Sequence, residues 1–175
     1  MDWHETVFEL IDMRSFSNLW YWIALAVVWS TSSHWVLGVP YDLVQRARRR
    51  GGEPAEDLRD LVRINVNRIR YIVQVAGLWL FALASCALTL LAILGFAYDV
   101  EFCQAVFLLA FPLSLVGLLT AMSAHKIASR GLTDAALFRE LRIHRLHVQL
   151  VGICAITVTA FWGMWQNMHV GALGG

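Results

Sequence analysis

Four apolar stretches, at 18–39, 71–98, 102–124 and 147–169, decide what this chain can fold into. Each is long enough to cross a hydrocarbon core of about 30 Å, which takes roughly 20 helical residues. Composition agrees with a bilayer as the solvent. Of 175 residues, 58% are hydrophobic and 15% charged, with a mean hydropathy of +0.58. A soluble domain is nearer 45–50% apolar and about 25% charged. The first stretch is too long for a signal peptide and lacks both a basic leader and a small-residue cleavage site, so it reads as a span.

Charge orients these spans. Thirteen of the fourteen basic residues lie at 41–71 or 125–147, Arg14 being the exception. Basic loops stay in the cytoplasm, so both segments are expected there and both termini on the outer, periplasmic side. Aromatic residues mark the same boundaries: Trp20, Tyr21 and Trp22 against Trp35 and Tyr41, Tyr71 against Tyr98, and Trp162 with Trp165. Amphipathic rings prefer the headgroup level.

Outside the spans the pattern remains helical. In 1–16, Asp2, Glu5, Glu9 and Asp12 fall on one arc and Trp3, Val7, Leu10 and Ile11 opposite, as in a short helix lying on the outer surface. The segments 41–70 and 125–146 read as helical tips protruding into the cytoplasm. Arg50, Gly51, Gly52 and Pro54 punctuate the first, and Arg130, Gly131 and Thr133 or Asp134 the second. Leu58, Leu61, Val62, Asn65, Ile69 and Ile72 form a stripe suited to packing on another helix. An 80-residue shift superposes Arg50-Gly51 on Arg130-Gly131, Ala55 on Ala135 and LRDL on FREL, suggesting two parallel hairpin repeats.

The expected fold is therefore a single all-α integral membrane domain. Four transmembrane helices form two helical hairpins that protrude into the cytoplasm, preceded by the interfacial amphipathic helix.

Chemistry is sparse. The run WSTSSHW at 29–35 places Ser30, Thr31, Ser33 and His34 in the inner half of the first span, a polar seam expected to pack against a neighbouring helix. His34, His125 and His147 fall at similar depth and are the candidate ligands should a b-type haem sit between spans. Against haem, no span carries two histidines at a haem-stacking spacing, and His144 reads as part of a charged face, so no cofactor is expected. A channel or transporter would need ionisable groups in the membrane, and His34 is the only one between residues 19 and 38. Pro112 is expected to kink the third span.

Cys86, Cys103 and Cys154 lie in or beside spans without metal-ligand spacing and read as small packing residues, so no metal site is expected. No phosphate-cradling glycine loop, nucleophile elbow or intramembrane acid pair is present, which argues against an enzyme. Arg46, Arg48, Arg49 and Arg50 suit anionic lipid headgroups. Nearby Glu53, Glu56, Asp57 and Asp60 weaken the field that nucleic acid would need.

The string FELIDMRSFSNLWYWIALAVVWSTSSHWVLGVPYDLV (8–44), with FLLAFPLSLVGLL (107–119), resembles a family of uncharacterised four-span bacterial inner-membrane proteins. Some members carry a label tying them to the Suf iron–sulfur assembly complex. That resemblance implies a bacterial inner-membrane location and, at most, a docking role for the cytoplasmic hairpins. It implies no functional residues, and the cysteine spacing does not suit a cluster carrier. The functional expectation is a non-enzymatic membrane protein acting through helix–helix assembly, as a homo-oligomer or an accessory or scaffold subunit of a larger complex. An oligomeric channel or transporter lined by the seam is the first alternative, and a haem-binding electron-transfer protein the second.

Overall fold

A computed structural model describes Phe16, residues 19–132 and residues 134–173. The chain runs through α1 (Leu19–His34), strands β1 (Trp35–Val36) and β2 (Val39–Pro40), α2 (Tyr41–Arg50) and α3 (Gly52–Ala92). A π-helical turn at Ile93–Ala97 extends α3, and α4 (Glu101–Arg130) and α5 (Asp134–Leu173) follow. The surface helix expected over 1–16 lies outside the described residues except for Phe16.

Three helices are long and apolar enough to cross a membrane: α3 with its extension (Gly52–Ala97), α4, and α5 over Ala135–Met168. The first expected span is shorter than its apolar run. The helix stops at His34 after 16 residues, about 24 Å, because the chain doubles back in a two-residue hairpin. Trp35 pairs with Pro40 and Val36 with Val39, and the loop residues Leu37 and Gly38 both have positive φ, at 52° and 75°, as in a type I′ turn. A left-handed leucine costs about 1–2 kcal/mol. Leu37 is fully buried, and burying such a side chain gains about 1.5–3 kcal/mol, so packing offsets the strain. Asn65 Nδ2 on α3 donates to the Gly38 carbonyl at 3.2 Å and closes the turn from outside.

The other boundaries move outward. Helices α3 and α5 have 41 and 40 residues, twice what a bilayer requires. The surplus turns build a head at the basic end of the molecule. There Val36, Leu37 and Val39 of the hairpin, Val44 and Ala47 of α2, and Ala55, Leu58, Val62 and Val66 of α3 pack with Ala124, Ile127, Leu137 and Leu141. This is the larger of the two cores. The stripe expected on α3 is shifted: Leu58 and Val62 are buried, Val66 joins them, and Ile72 is exposed. Gly51 ends α2 with φ 63° and donates to the Ala47 carbonyl. Gly131 ends α4 in the left-handed region and donates to Ile127. Both stops fall where the glycines predict, although the two tips bury different members of the apparent repeat: Ala55 is buried and Ala135 exposed.

A smaller core joins α1 to α4 and α5 through Leu25, Trp29 and Ala155, with Leu109, Leu113 and Val151 against them. Gly152 makes this approach possible, since a Cβ there would lie 2.8 Å from Cε3 of Trp29. Pro112 sits inside α4 and is buried; having no N–H, it leaves the Leu108 carbonyl without its helical donor. The membrane-length half of α3 contrasts with the head. None of its residues from 71 to 92 is buried; Gly77, Ala84 and Leu88 are half-buried, and Leu78 and Trp79 turn outward, 80% and 78% exposed.

Candidate functional site

Among the described residues, the polar side chains that meet across helices include one group at each end of the bundle. At the basic end, Leu25 and Trp29 set the rotation of α1 by facing inward, which turns the rest of WSTSSHW away from the core. Ser30, Thr31 and His34 are exposed and Ser33 is half-buried. Most of the seam therefore faces away from the other helices, and α5 reaches it through Arg145. With Trp35 and Arg145 of α5 it lines an open depression of about 390 Å³. The His34 and Trp35 rings meet edge to face, with centroids 6.2 Å apart.

Arg145 organises this depression, and no motif marks it in the sequence. Its Nε donates to the Ser33 carbonyl at 3.3 Å, one of the terminal carbonyls that a helix cannot satisfy itself. Its guanidinium lies 3.8 Å from the centroid of the Tyr41 ring, a cation–π contact that ties α5 to the start of α2. The lining offers hydroxyls, an imidazole and a guanidinium, with no carboxylate. Such a set binds polar groups by donating hydrogen bonds; it holds no paired acid and base.

The three candidate haem ligands are not brought together. His34 lies in this depression, His125 beside Ile69, Arg70 and Gln74 in a separate cavity of about 60 Å³, and His147 on the exposed side of α5. Among the described residues no group of three or more His, Cys, Asp or Glu side chains gathers in one place. The buried histidine is instead His144, which the sequence pattern assigns to a charged face. It is 2% exposed, and its Nδ1 lies 3.1 Å from Ser123 Oγ on α4. One turn away Lys126 Nζ meets Glu140 Oε2 at 2.5 Å, with Glu140 buried. Leu137, Glu140, Leu141, His144 and Val148, all buried, lie on one helical face, each three or four residues from another member. That helical spacing is the signal for this mixed face.

The four arginines proposed for lipid contact separate. Arg46 pairs with Asp42 at 3.0 Å, Arg49 and Arg50 are exposed at the end of α2, and Arg48 lines a cleft with Arg139 and Arg142 of α5.

At the opposite end, Gln104 is a fully buried polar residue, 1% exposed. Its Nε2 donates to the Gly95 carbonyl at 2.8 Å and to Asp99 Oδ1 at 3.0 Å. Its Oε1 accepts from Trp162 Nε1 at 3.0 Å and Gln166 Nε2 at 2.7 Å. Both donors and both acceptor positions of the carboxamide are used, so this residue is a lock between α3, α4 and α5 and has no capacity left for a ligand.

Between the two ends, an apolar cavity of about 360 Å³ opens beside Pro112, lined by residues such as Phe107, Phe111, Leu150 and Cys154. Compared with family models, with curated proteins and with solved structures, the chain matches none.

Proposed function

We propose that this chain is a non-enzymatic inner-membrane protein acting through helix–helix assembly, as a homo-oligomer or as an accessory subunit of a larger membrane complex. The observation that carries this reading is the asymmetry of α3. Its half in the head is packed on several sides, whereas its membrane-length half has no buried residue and leaves Leu78, Trp79, Phe81 and Leu83 exposed. Small residues such as Gly77, Ala84 and Ala87 lie along this half, and small residues are the device by which membrane helices approach closely.

In this reading α1 is a fourth span, with both termini on the periplasmic side and the head in the cytoplasm. Its length of about 24 Å is short, and local thinning of the bilayer accommodates such a span at fractions of a kcal/mol per Å. Membership of the four-span family that the sequence resembles belongs to the same proposal. Cys86 lies exposed on the free flank of α3 and serves as a reporter. Oxidation of native membranes is expected to give a disulfide-linked species that Cys86→Ser abolishes. A detergent-solubilised protein that is strictly monomeric and copurifies with nothing would sink the reading.

The exposure of the seam favours one second reading, an oligomeric channel or transporter whose axis is lined by Ser30, Thr31, Ser33 and His34. Ion flux in proteoliposomes that is unaltered when all four become alanine would count against it.

A further inference from the structure

Arg48, Arg139 and Arg142 come from two helices and face one cleft of about 460 Å³, with Ala135 and Phe138 completing its lining. Packing fixes this convergence. Val44 and Ala47 are buried in the head core and hold α2 in place, and Leu137 and Leu141 do the same for α5. That rotation leaves Arg139 and Arg142, one turn apart, on the flank beside the last turn of α2. The lining contains no carboxylate. Arg46, Arg63 and Lys126 each have an acidic partner; among the described residues, Arg48, Arg139 and Arg142 have neither an ion pair nor a hydrogen bond. Three uncompensated guanidinium groups around one cavity repel one another, and an oxyanion between them removes that cost. The planar fork of arginine matches phosphate with two parallel hydrogen bonds.

Depth narrows the ligand. Arg142 lies five residues before the apolar stretch that begins at 147, about 7.5 Å along the helix, and Arg139 about 12 Å. The headgroup layer is roughly 5–8 Å thick, so with α5 crossing from residue 147, as the proposed topology has it, Arg142 would be level with lipid phosphates and Arg139 just beyond. We propose that these three arginines form a binding site for phosphate oxyanions, suited to a headgroup that carries two phosphates. A soluble diphosphate presents the same chemistry. The site does not depend on the assembly reading.

The test uses the full chain in nanodiscs of phosphatidylcholine, titrated with diphosphatidylglycerol and, separately, with pyrophosphate in the buffer. Thermal unfolding reports binding. The cleft variant is Arg139→Gln/Arg142→Gln, and the control is Arg49→Gln/Arg50→Gln, which removes the same charge outside the cleft. A saturable rise in Tm with diphosphatidylglycerol is expected, its midpoint shifted at least about tenfold in the cleft variant and less than about twofold in the control. The same pattern with pyrophosphate alone would assign the site to a soluble ester and still support it. Equal weakening in both variants would mean diffuse charge, and no saturable shift with either probe would mean no site; each overturns the proposal. Should the cleft variant unfold without any probe, Arg139→Lys/Arg142→Lys keeps the charge, and loss of the fork is still expected to weaken binding.

Discussion

The indole N–H of Trp162 donates to Oε1 of Gln104 at 3.0 Å, across 58 residues of chain, and Gln104 in turn donates to the carbonyl of Gly95 at 2.8 Å. One carboxamide thus joins the end of α3, the start of α4 and the far end of α5. The approach depends on Gly95, where a Cβ would lie 2.9 Å from the backbone nitrogen of Gln104. Phe96 seals the junction by meeting the Phe107 and Trp162 rings edge to face.

Gln104→Leu is expected to destabilise the bundle by about 2 kcal/mol, since four hydrogen bonds of roughly 0.6 kcal/mol each are lost in a membrane setting. Gly95→Ala leaves those groups intact and is expected to cost about 1–3 kcal/mol through overpacking. Both changes are read by equilibrium unfolding in mixed micelles. A Gln104→Leu protein as stable as wild type would show that the carboxamide holds nothing together.

Gly152 is the corresponding contact for α1. A Cβ there would lie 2.8 Å from the ring of Trp29, which is buried. Gly152→Leu is therefore expected to push α1 off α5 while leaving α3 and α4 packed. Limited proteolysis at the hairpin 35–40 should accelerate, with helix content by circular dichroism unaltered. Unaltered cleavage rates would mean that α1 docks elsewhere.

The pair formed by Lys126 and Glu140 is unequal, with the lysine side chain 40% exposed and the carboxylate 8%. Lys126→Met strands a buried carboxylate and is expected to cost about 1–3 kcal/mol. Lys126→Met with Glu140→Gln removes the charge that needed compensation and is expected to recover more than half of that loss. Additive losses in the double-mutant cycle would mean that the two side chains act independently.

The proposed four-span topology would put the start of α1 and Tyr98 on one side of the membrane and Glu56 on the other. In a cysteine-free background, Ser15→Cys and Tyr98→Cys are expected to react with an impermeant maleimide added outside the cell. Glu56→Cys is expected to react only after lysis. Labelling of Ser15→Cys and Glu56→Cys from the same side would mean that α1 does not cross.

Much of the helical framework was legible without coordinates because its causes are local. Apolar runs of bilayer length, the glycines at 51, 52 and 131 and the proline at 54 act within a turn or two of their own position. The hairpin at 35–40 was not legible, because the positive φ of Leu37 is offset by tertiary burial of its side chain, and Asn65 closes that turn from 27 residues away. The same limit applies to the histidines. Spacing gives His144 and His147 similar settings near the end of a span, yet the rotation of α5 buries the first against Ser123 and exposes the second.

Composition, charge asymmetry and helix punctuation by themselves determine that this chain is built of apolar helices of membrane length with a basic end, since each property is summed over many residues or set within one turn. Which polar groups are buried, which way the hydroxyl seam faces and which arginines converge were decided by tertiary packing. Helix rotation is set by a few contacts between distant residues, Trp29 on Gly152 and Gln104 beneath Gly95 among them, and a rotation of one residue, about 100°, moves a side chain from the core to the surface.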